Sequence, residues 1–103
     1  MWCCAMTTPA DPQASVDLLK AMASPVRWMI LTRLAEGSCV VGPLVEMTGE
    51  AQSSVSQHLH RLRASGLVSC RKRSTWREYA LATGVDRLID EVRRLERTLN
   101  PQT

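Results

Sequence analysis

The sequence contains no phenylalanine, one tyrosine and three tryptophans, so its core has to be built from aliphatic and methionine side chains. No apolar run approaches the roughly 18 residues that a membrane-spanning helix requires. The first residues also lack the basic segment and long apolar stretch of a signal peptide. A length of 103 residues predicts one folded domain, and four cysteines without secretory spacing predict a reducing, cytoplasmic environment.

Residue patterns typical of enzymes are also missing. The serines between positions 53 and 56 have no histidine–acid pair beside them, and no glycine-rich loop that would cradle a phosphate is present. We therefore expect a protein that is not an enzyme and that requires no cofactor.

Positive charge is concentrated in one part of the chain. The net charge is only +3, which by itself points weakly to nucleic acid. Between positions 51 and 79, however, six cations accompany a single acid, Glu78. The six cations are Arg61, Arg63, Arg71, Lys72, Arg73 and Arg77. This segment is therefore the candidate nucleic-acid interface.

Apolar spacing and turn residues predict a mainly α fold with a small β-hairpin. Ser24 is expected to cap a helix that has Pro25 in its first position, and Gly49 to mark the turn before a longer helix. Five helices are predicted, at residues 13–23, 25–35, 42–47, 50–65 and 85–99. Three strands are predicted, an isolated edge strand at 38–40 and a hairpin of 67–73 and 75–81. The chain thus divides into a flexible N-terminal arm, a folded domain and a tail, at residues 1–12, 13–99 and 100–103.

A short helix, a turn and a longer helix form the helix-turn-helix arrangement, in which the second helix enters the major groove. In the longer helix, Val55, Leu59 and Leu62 form an apolar stripe, and His58 borders it as a hydrogen-bonded structural residue. Short polar and cationic side chains opposite this stripe suit base edges and phosphates. The predicted contacts of this helix are Gln52, Ser53, Ser54, Ser56, Gln57, His60 and Arg61.

A hairpin that follows such a helix is a wing, and cations on it contact the phosphate backbone. Val68, Trp76 and Tyr79 supply the bulk that strands favour. The predicted DNA contacts of the hairpin are Arg71, Lys72, Arg73, Thr75 and Arg77.

The last predicted helix carries an apolar stripe that runs beyond what one small domain needs to cover. We expect a second copy of the chain to cover it, because a two-fold dimer places two recognition helices on two half-sites. The stripe consists of Val85, Leu88, Ile89, Val92, Leu95 and Leu99.

Four segments together resemble the ArsR/SmtB family of bacterial winged helix-turn-helix repressors. They are residues 18–31 (LLKAMASPVRWMIL), 53–59 (SSVSQHL), 62–68 (LRASGLV) and 71–81 (RKRSTWREYAL). The resemblance implies a winged helix-turn-helix homodimer joined through its first and last helices, to which Val16 and Leu19 would contribute. It also implies binding to a palindromic operator in double-stranded DNA, and release by an inducer.

The inducers of this family include metals, metalloids, oxidants and sulfur species. Of the cysteine pair that many members carry at the start of the third helix, this chain keeps Cys39 and has Val41 at the second position. Some members of the family complete a thiolate site with cysteines from the N-terminal arm of the other subunit. The resemblance thus implies that Cys3 and Cys4 on the arm of one subunit could form, with Cys39 of the other, a three-thiolate site for As(III) or Sb(III). The alternative is that Cys39 is simply a small packed residue, as Cys70 in the wing is also expected to be.

Three alternatives stay open at the level of the sequence. In the first, the regulator responds to thiol oxidation. In the second, it responds to no ligand. In the third, the fold serves as a protein-interaction module without DNA binding. In the last case, the polar helix face is an ordinary solvated surface.

Overall fold

In the computed structural model, which describes residues 12–101, the helices and strands follow the predicted order. The five helices are α1 (Pro12–Met22), α2 (Pro25–Leu34), α3 (Val41–Thr48), α4 (Gln52–Ala64) and α5 (Val85–Leu99). The three strands are β1 (Cys39–Val40), β2 (Val68–Arg73) and β3 (Trp76–Leu81). The predicted winged helix-turn-helix fold is confirmed: α3 and α4 form the helix-turn-helix, and β2 and β3 form the wing.

The sheet contains three antiparallel strands in the order β1-β3-β2. The predicted position of β1 at an edge is confirmed, but the prediction that it is isolated is wrong. It pairs with β3 through Cys39–Tyr79 and Val40–Glu78. Two residues are too few to show a pairing partner by their own pattern. The consequence is that the base of the wing is tied to the residues directly before α3.

The core is aliphatic, as the absence of phenylalanine requires. Its only buried aromatic side chain within residues 12–101 is Tyr79, and Trp28 is half-buried against the core. The largest fully buried side chains are Ile30, Leu31, Leu44, Leu59, Leu62, Ile89 and Val55. They come from α2, α3, α4 and α5, and within this core α4 packs against α2 and α3.

Two turns set the direction of the helices. The Ser24 hydroxyl accepts a hydrogen bond from the Arg27 amide at 3.3 Å, with Pro25 in the first turn, which confirms the predicted cap. Gly49 ends α3 in a left-handed conformation with φ of 73°, where a side chain would add strain. This glycine lets the chain turn tightly from α3 into α4.

The second half of α5 projects from the domain. Every residue from 90 to 99 is exposed, and the chain measures 55 × 36 × 20 Å. Within residues 12–101, no helix combines the length and the apolar character that crossing a membrane requires.

Candidate nucleic-acid interface

One face of helix α4 is buried in the core, and the other face is exposed. Val55, Leu59 and Leu62 are completely buried at spacings of four and three, which holds the helix at a defined rotation about its axis. Six of its seven predicted contacts are exposed on the remaining surface. The six are Gln52, Ser53, Ser56, Gln57, His60 and Arg61.

The seventh predicted contact, Ser54, is placed differently. Its side chain is half-buried, and its hydroxyl donates to the Glu50 carboxylate at 3.3 Å. The Glu50 amide in turn donates to the Thr48 hydroxyl at 3.3 Å. Ser54 therefore helps to fix the turn between α3 and α4, a role that the sequence pattern did not predict.

The histidine at the border of the apolar stripe has the structural role predicted for it. The Nδ1 atom of His58 lies 3.1 Å from Nη1 of Arg27. The same guanidinium donates through Nε to the Ala21 carbonyl at 2.6 Å. Arg27 thus links the end of α1 to α2 and α4.

The wing presents its cations on both faces of the hairpin. Lys72 and Arg77 are directly opposite each other in the register of β2 and β3, and Arg71 is opposite Glu78. A two-residue turn closes the hairpin, with Ser74 at a positive φ of 56°. The segment from 68 to 81 contains four cations and one acid, a net charge of +3, and all four cations are exposed.

Arg73 is paired with an acid of the same hairpin. Nε of Arg73 lies 3.2 Å from Oε1 of Glu78, and the Ser38 hydroxyl donates to Oε2 of the same carboxylate at 2.9 Å. Glu78 is half-buried and bound by both side chains, so the Arg73 guanidinium is directed toward Glu78 and away from the tip of the wing. Arg73 is therefore less available to a phosphate than Lys72, for which no ion pair is present within residues 12–101.

Both sets of predicted contacts border one cleft. It has a volume of about 530 Å³ and lies between the first turns of α3 and α4 and the tip of the wing. Its polar and aromatic lining includes Gln52, Ser56, Thr75, Trp76 and Arg77. The fold thus brings α4 and the wing, which are separate in sequence, to one side of the molecule.

On the core side of the sheet, Tyr79 lies between two cysteines. It is paired with Cys39 on one side and with Cys70 on the other. Burial raises the pKa of the Tyr79 hydroxyl above its usual value of 10.0, and the neighbouring Cys70 adds to the effect. Two strand spacings of about 4.8 Å separate the Cα atoms of the two cysteines, which is too far for a disulfide within one chain.

The residues predicted at the dimer interface separate into two groups. Val85 and Ile89 are buried in the core of the single chain. The other six are exposed on α1 and α5, and they are Val16, Leu19, Leu88, Val92, Leu95 and Leu99. The exposed stripe is thus shorter than predicted, because the first turns of α5 pack against its own domain.

The described residues do not by themselves form a metal site. Cys39 is only 6% exposed and belongs to the core, and its thiol donates to the carbonyl of Val40 at 3.3 Å. Within residues 12–101, no three histidine, cysteine, aspartate or glutamate side chains are grouped so that they could hold a metal ion. Cys3 and Cys4 lie outside the described residues, so the predicted three-thiolate site stays a prediction.

Comparison with known proteins agrees with this geometry. The family described as "Bacterial regulatory protein, arsR family" matches residues 24–69, which contain α2, α3 and α4. The chain is similar to the nodulation protein NolR of Rhizobium meliloti, with 44% identity over 62 residues. This match includes 60% of the chain, which spans about half of NolR (51%).

Two other relatives extend over most of the chain. The transcriptional activator HlyU of Vibrio cholerae is 42% identical over 82 residues, 79% of this chain and 76% of HlyU. A solved HlyU structure superimposes with a TM-score of 0.77 at 38% identity, over 85% of this chain and 97% of that one. The solution structure of the homodimeric winged helix-turn-helix DNA-binding domain of Mb0332 from Mycobacterium bovis gives a TM-score of 0.76 at 29% identity, over 91% and 94% of the two chains. The chain therefore belongs to the arsR family of bacterial regulatory proteins, whose members are transcriptional regulators rather than enzymes.

Proposed function

We propose that this protein is a transcriptional repressor that binds a palindromic DNA operator as a homodimer. The observation that carries the proposal is the common cleft, which is bordered by the exposed face of α4 and the cationic wing. A major groove is about 12 Å wide and admits one helix, and the backbone beside it would then face the wing.

Helix α4 and the wing would have different roles in DNA recognition. Gln57, exposed near the middle of α4, has an amide that can pair with two positions of adenine, and Arg61 one turn later can reach guanine or a phosphate. Lys72 and Arg77 would contact phosphates, which fixes the position of the protein without reading sequence. Ser56, Gln57, His60 and Arg61 are all exposed on this face of α4, which leaves base edges room to approach the helix.

A homodimer would explain the exposed apolar stripe. Leu95 is 56% exposed and Leu99 is 69% exposed on a helix whose second half touches little of its own domain. Pairing this stripe with the same stripe of a second copy would bury both. It would also relate two α4 helices by a two-fold axis, as a palindromic operator requires.

The proposal is tested by DNA binding as a function of salt. We expect the protein to select a palindrome from a pool of random duplexes, with an affinity that falls steeply as salt rises. Gln57→Ala should weaken binding to the selected duplex more than binding to an unrelated one. Lys72→Ala should weaken both to a similar extent, and Arg73→Ala should do the same with a smaller loss because of Glu78.

Two results would overturn the proposal. Binding that is absent, or that does not depend on salt, would favour a protein-interaction module. Equal losses for Gln57→Ala on both duplexes would mean that the exposed face of α4 does not read sequence.

A further inference from the structure

One large apolar side chain at the tip of the wing is uncovered. Trp76 is 56% exposed, and it is the only large hydrophobic residue of the segment 68–81 that is exposed. The other exposed large hydrophobic residues within residues 12–101 lie on helices α1, α2, α3 and α5. The dimer stripe on α1 and α5 therefore does not account for Trp76.

The residue paired with Trp76 across the hairpin has another partner. Arg73 is paired directly with Trp76 across the hairpin, so both side chains lie on the same face of the sheet. The Arg73 guanidinium is bound to Glu78 at 3.2 Å, on the side away from the tip. Among the residues that the structure describes, the indole ring has no ring contact, and its N–H has no hydrogen-bond acceptor.

The surroundings of the indole are cationic. Arg73 is on the same face of the hairpin, Lys72 and Arg77 are on the opposite face, and Glu78 is the only acid of the segment 68–81. A flat apolar ring with one free donor, framed by cations, suits the wall of a nucleic-acid groove. The minor groove offers an acceptor on every A·T and T·A pair, whereas a G·C pair adds an amino donor that obstructs an N–H.

We propose that Trp76 enters the minor groove beside each half-site and favours A·T pairs there. In this arrangement α4 reads the major groove, and the indole adds a second point of sequence preference in the flank. The inference rests on the proposed function, because it requires the protein to bind duplex DNA.

The experiment uses the full chain and a duplex that the wild-type protein selects from a random pool. Hydroxyl-radical footprints of the wild type and of Trp76→Ala first locate the sugars that only the wild type protects. The base pairs at those sugars are then replaced by A·T, G·C or inosine·C. Inosine·C is the decisive pair, since it keeps the major-groove pattern of G·C but lacks the minor-groove amino group.

We expect the wild type to bind the A·T and inosine·C duplexes about ten-fold more tightly than the G·C duplex. Trp76→Ala should bind all three equally, with the affinity that the wild type has for G·C. Trp76→Phe, which keeps a ring but not the N–H, should be intermediate. All three proteins should be fully folded at the temperature of the binding assay, because Trp76 lies outside the buried core.

The other outcomes overturn the inference. If Trp76→Ala keeps both the affinity and the preference for A·T, the preference arises elsewhere in the protein. If Trp76→Ala keeps the preference but loses the same factor of affinity on all three duplexes, Trp76 contacts the backbone and reads no base pair. A wild type that selects no duplex would overturn the proposed function and this inference together, whereas the first two results leave the proposed function intact.

Discussion

Nη1 of Arg27 lies 3.1 Å from Nδ1 of His58, a contact between residues 31 positions apart that joins α2 to α4. A guanidinium can only donate hydrogen bonds, so Nδ1 is the acceptor and the imidazole proton resides on Nε2. The rotation of α4, and with it the direction of the exposed contacts, therefore depends on a polar link as well as on its apolar stripe.

We expect Arg27→Ala to lower the free energy of unfolding by about 2 kcal/mol and His58→Phe by about 1 kcal/mol. The arginine change costs more because it also leaves the Ala21 carbonyl without its donor. Urea unfolding of both variants and the double variant should show a coupling energy of about 1 kcal/mol. Strictly additive losses would show that the two side chains do not stabilise each other.

The raised pKa of Tyr79 predicts that the folded protein loses stability at alkaline pH. Because its pKa is raised above 10.0 in the folded protein, the unfolded chain releases this proton first as the pH rises. The contribution is fully present below about pH 10 and is lost as the pH rises above that value. Urea unfolding from pH 8 to pH 11 should show a steeper decline for the wild type than for Tyr79→Phe, in which the cysteines and lysines still ionise. Parallel curves would show that burial does not hold this hydroxyl neutral.

The sequence predicted the helices, the wing and the outward face of α4, because these follow from local periodicity and turn residues. Gly49, Ser24 and the stripe of Val55 and Leu59 each carry their signal within a few positions. Contacts between distant segments carry no such signal. The pairing of β1 with β3 could not be predicted for that reason.

The same limit applies to individual site residues. Arg73 appeared as one more free cation of the wing, but its pairing with Glu78 depends on the register of β2 and β3 and on Ser38 from before β1. Trp76 appeared only as a strand former, because the pattern of a short strand does not show which of its side chains the fold leaves exposed. Val85 and Ile89 belong to the apolar stripe of α5, and only the fold shows that the core already covers them.

Glu78 should restrain DNA binding. Replacing it by glutamine removes a negative charge from the wing and releases Arg73, so we expect tighter binding to any duplex. The slope of log affinity against log salt should become steeper by about 0.9, the value for one added phosphate contact. Glu96→Gln, the same change of charge on α5, should have little effect. Equal effects of both variants would mean that net charge alone is responsible.

The exposed stripe of α5 should hold the dimer together. Leu95→Gln places an amide in the proposed interface twice, once from each copy, and each leucine contributes about 1.5–3 kcal/mol by burial. We expect the dissociation constant of the dimer to rise at least about a hundred-fold. Sedimentation equilibrium measures this directly, with Arg97→Gln on the opposite face of α5 as the control. A dimer unaffected by Leu95→Gln would place the interface on another surface.

Replacing Cys39 distinguishes the three-thiolate hypothesis from the alternative that Cys39 is a small packed residue. If Cys3, Cys4 and Cys39 bind As(III), arsenite should release the reduced protein from its operator, and ultraviolet absorbance should report the arsenic–sulfur bonds. Both signals should disappear in Cys39→Ala, while Cys70→Ser, a change on the other side of Tyr79, should keep them.

The core position of Cys39 requires one further control. Alanine leaves a small cavity but no buried polar group, so Cys39→Ala should still bind DNA without arsenite, with a loss of about 1 kcal/mol or less in folding free energy. Arsenite that leaves the wild-type complex unchanged would show that the Cys39 thiol, 6% exposed and bonded to the Val40 carbonyl, is a packing residue. The two alternatives of a regulator that responds to thiol oxidation and one that responds to no ligand would then be favoured over the three-thiolate site.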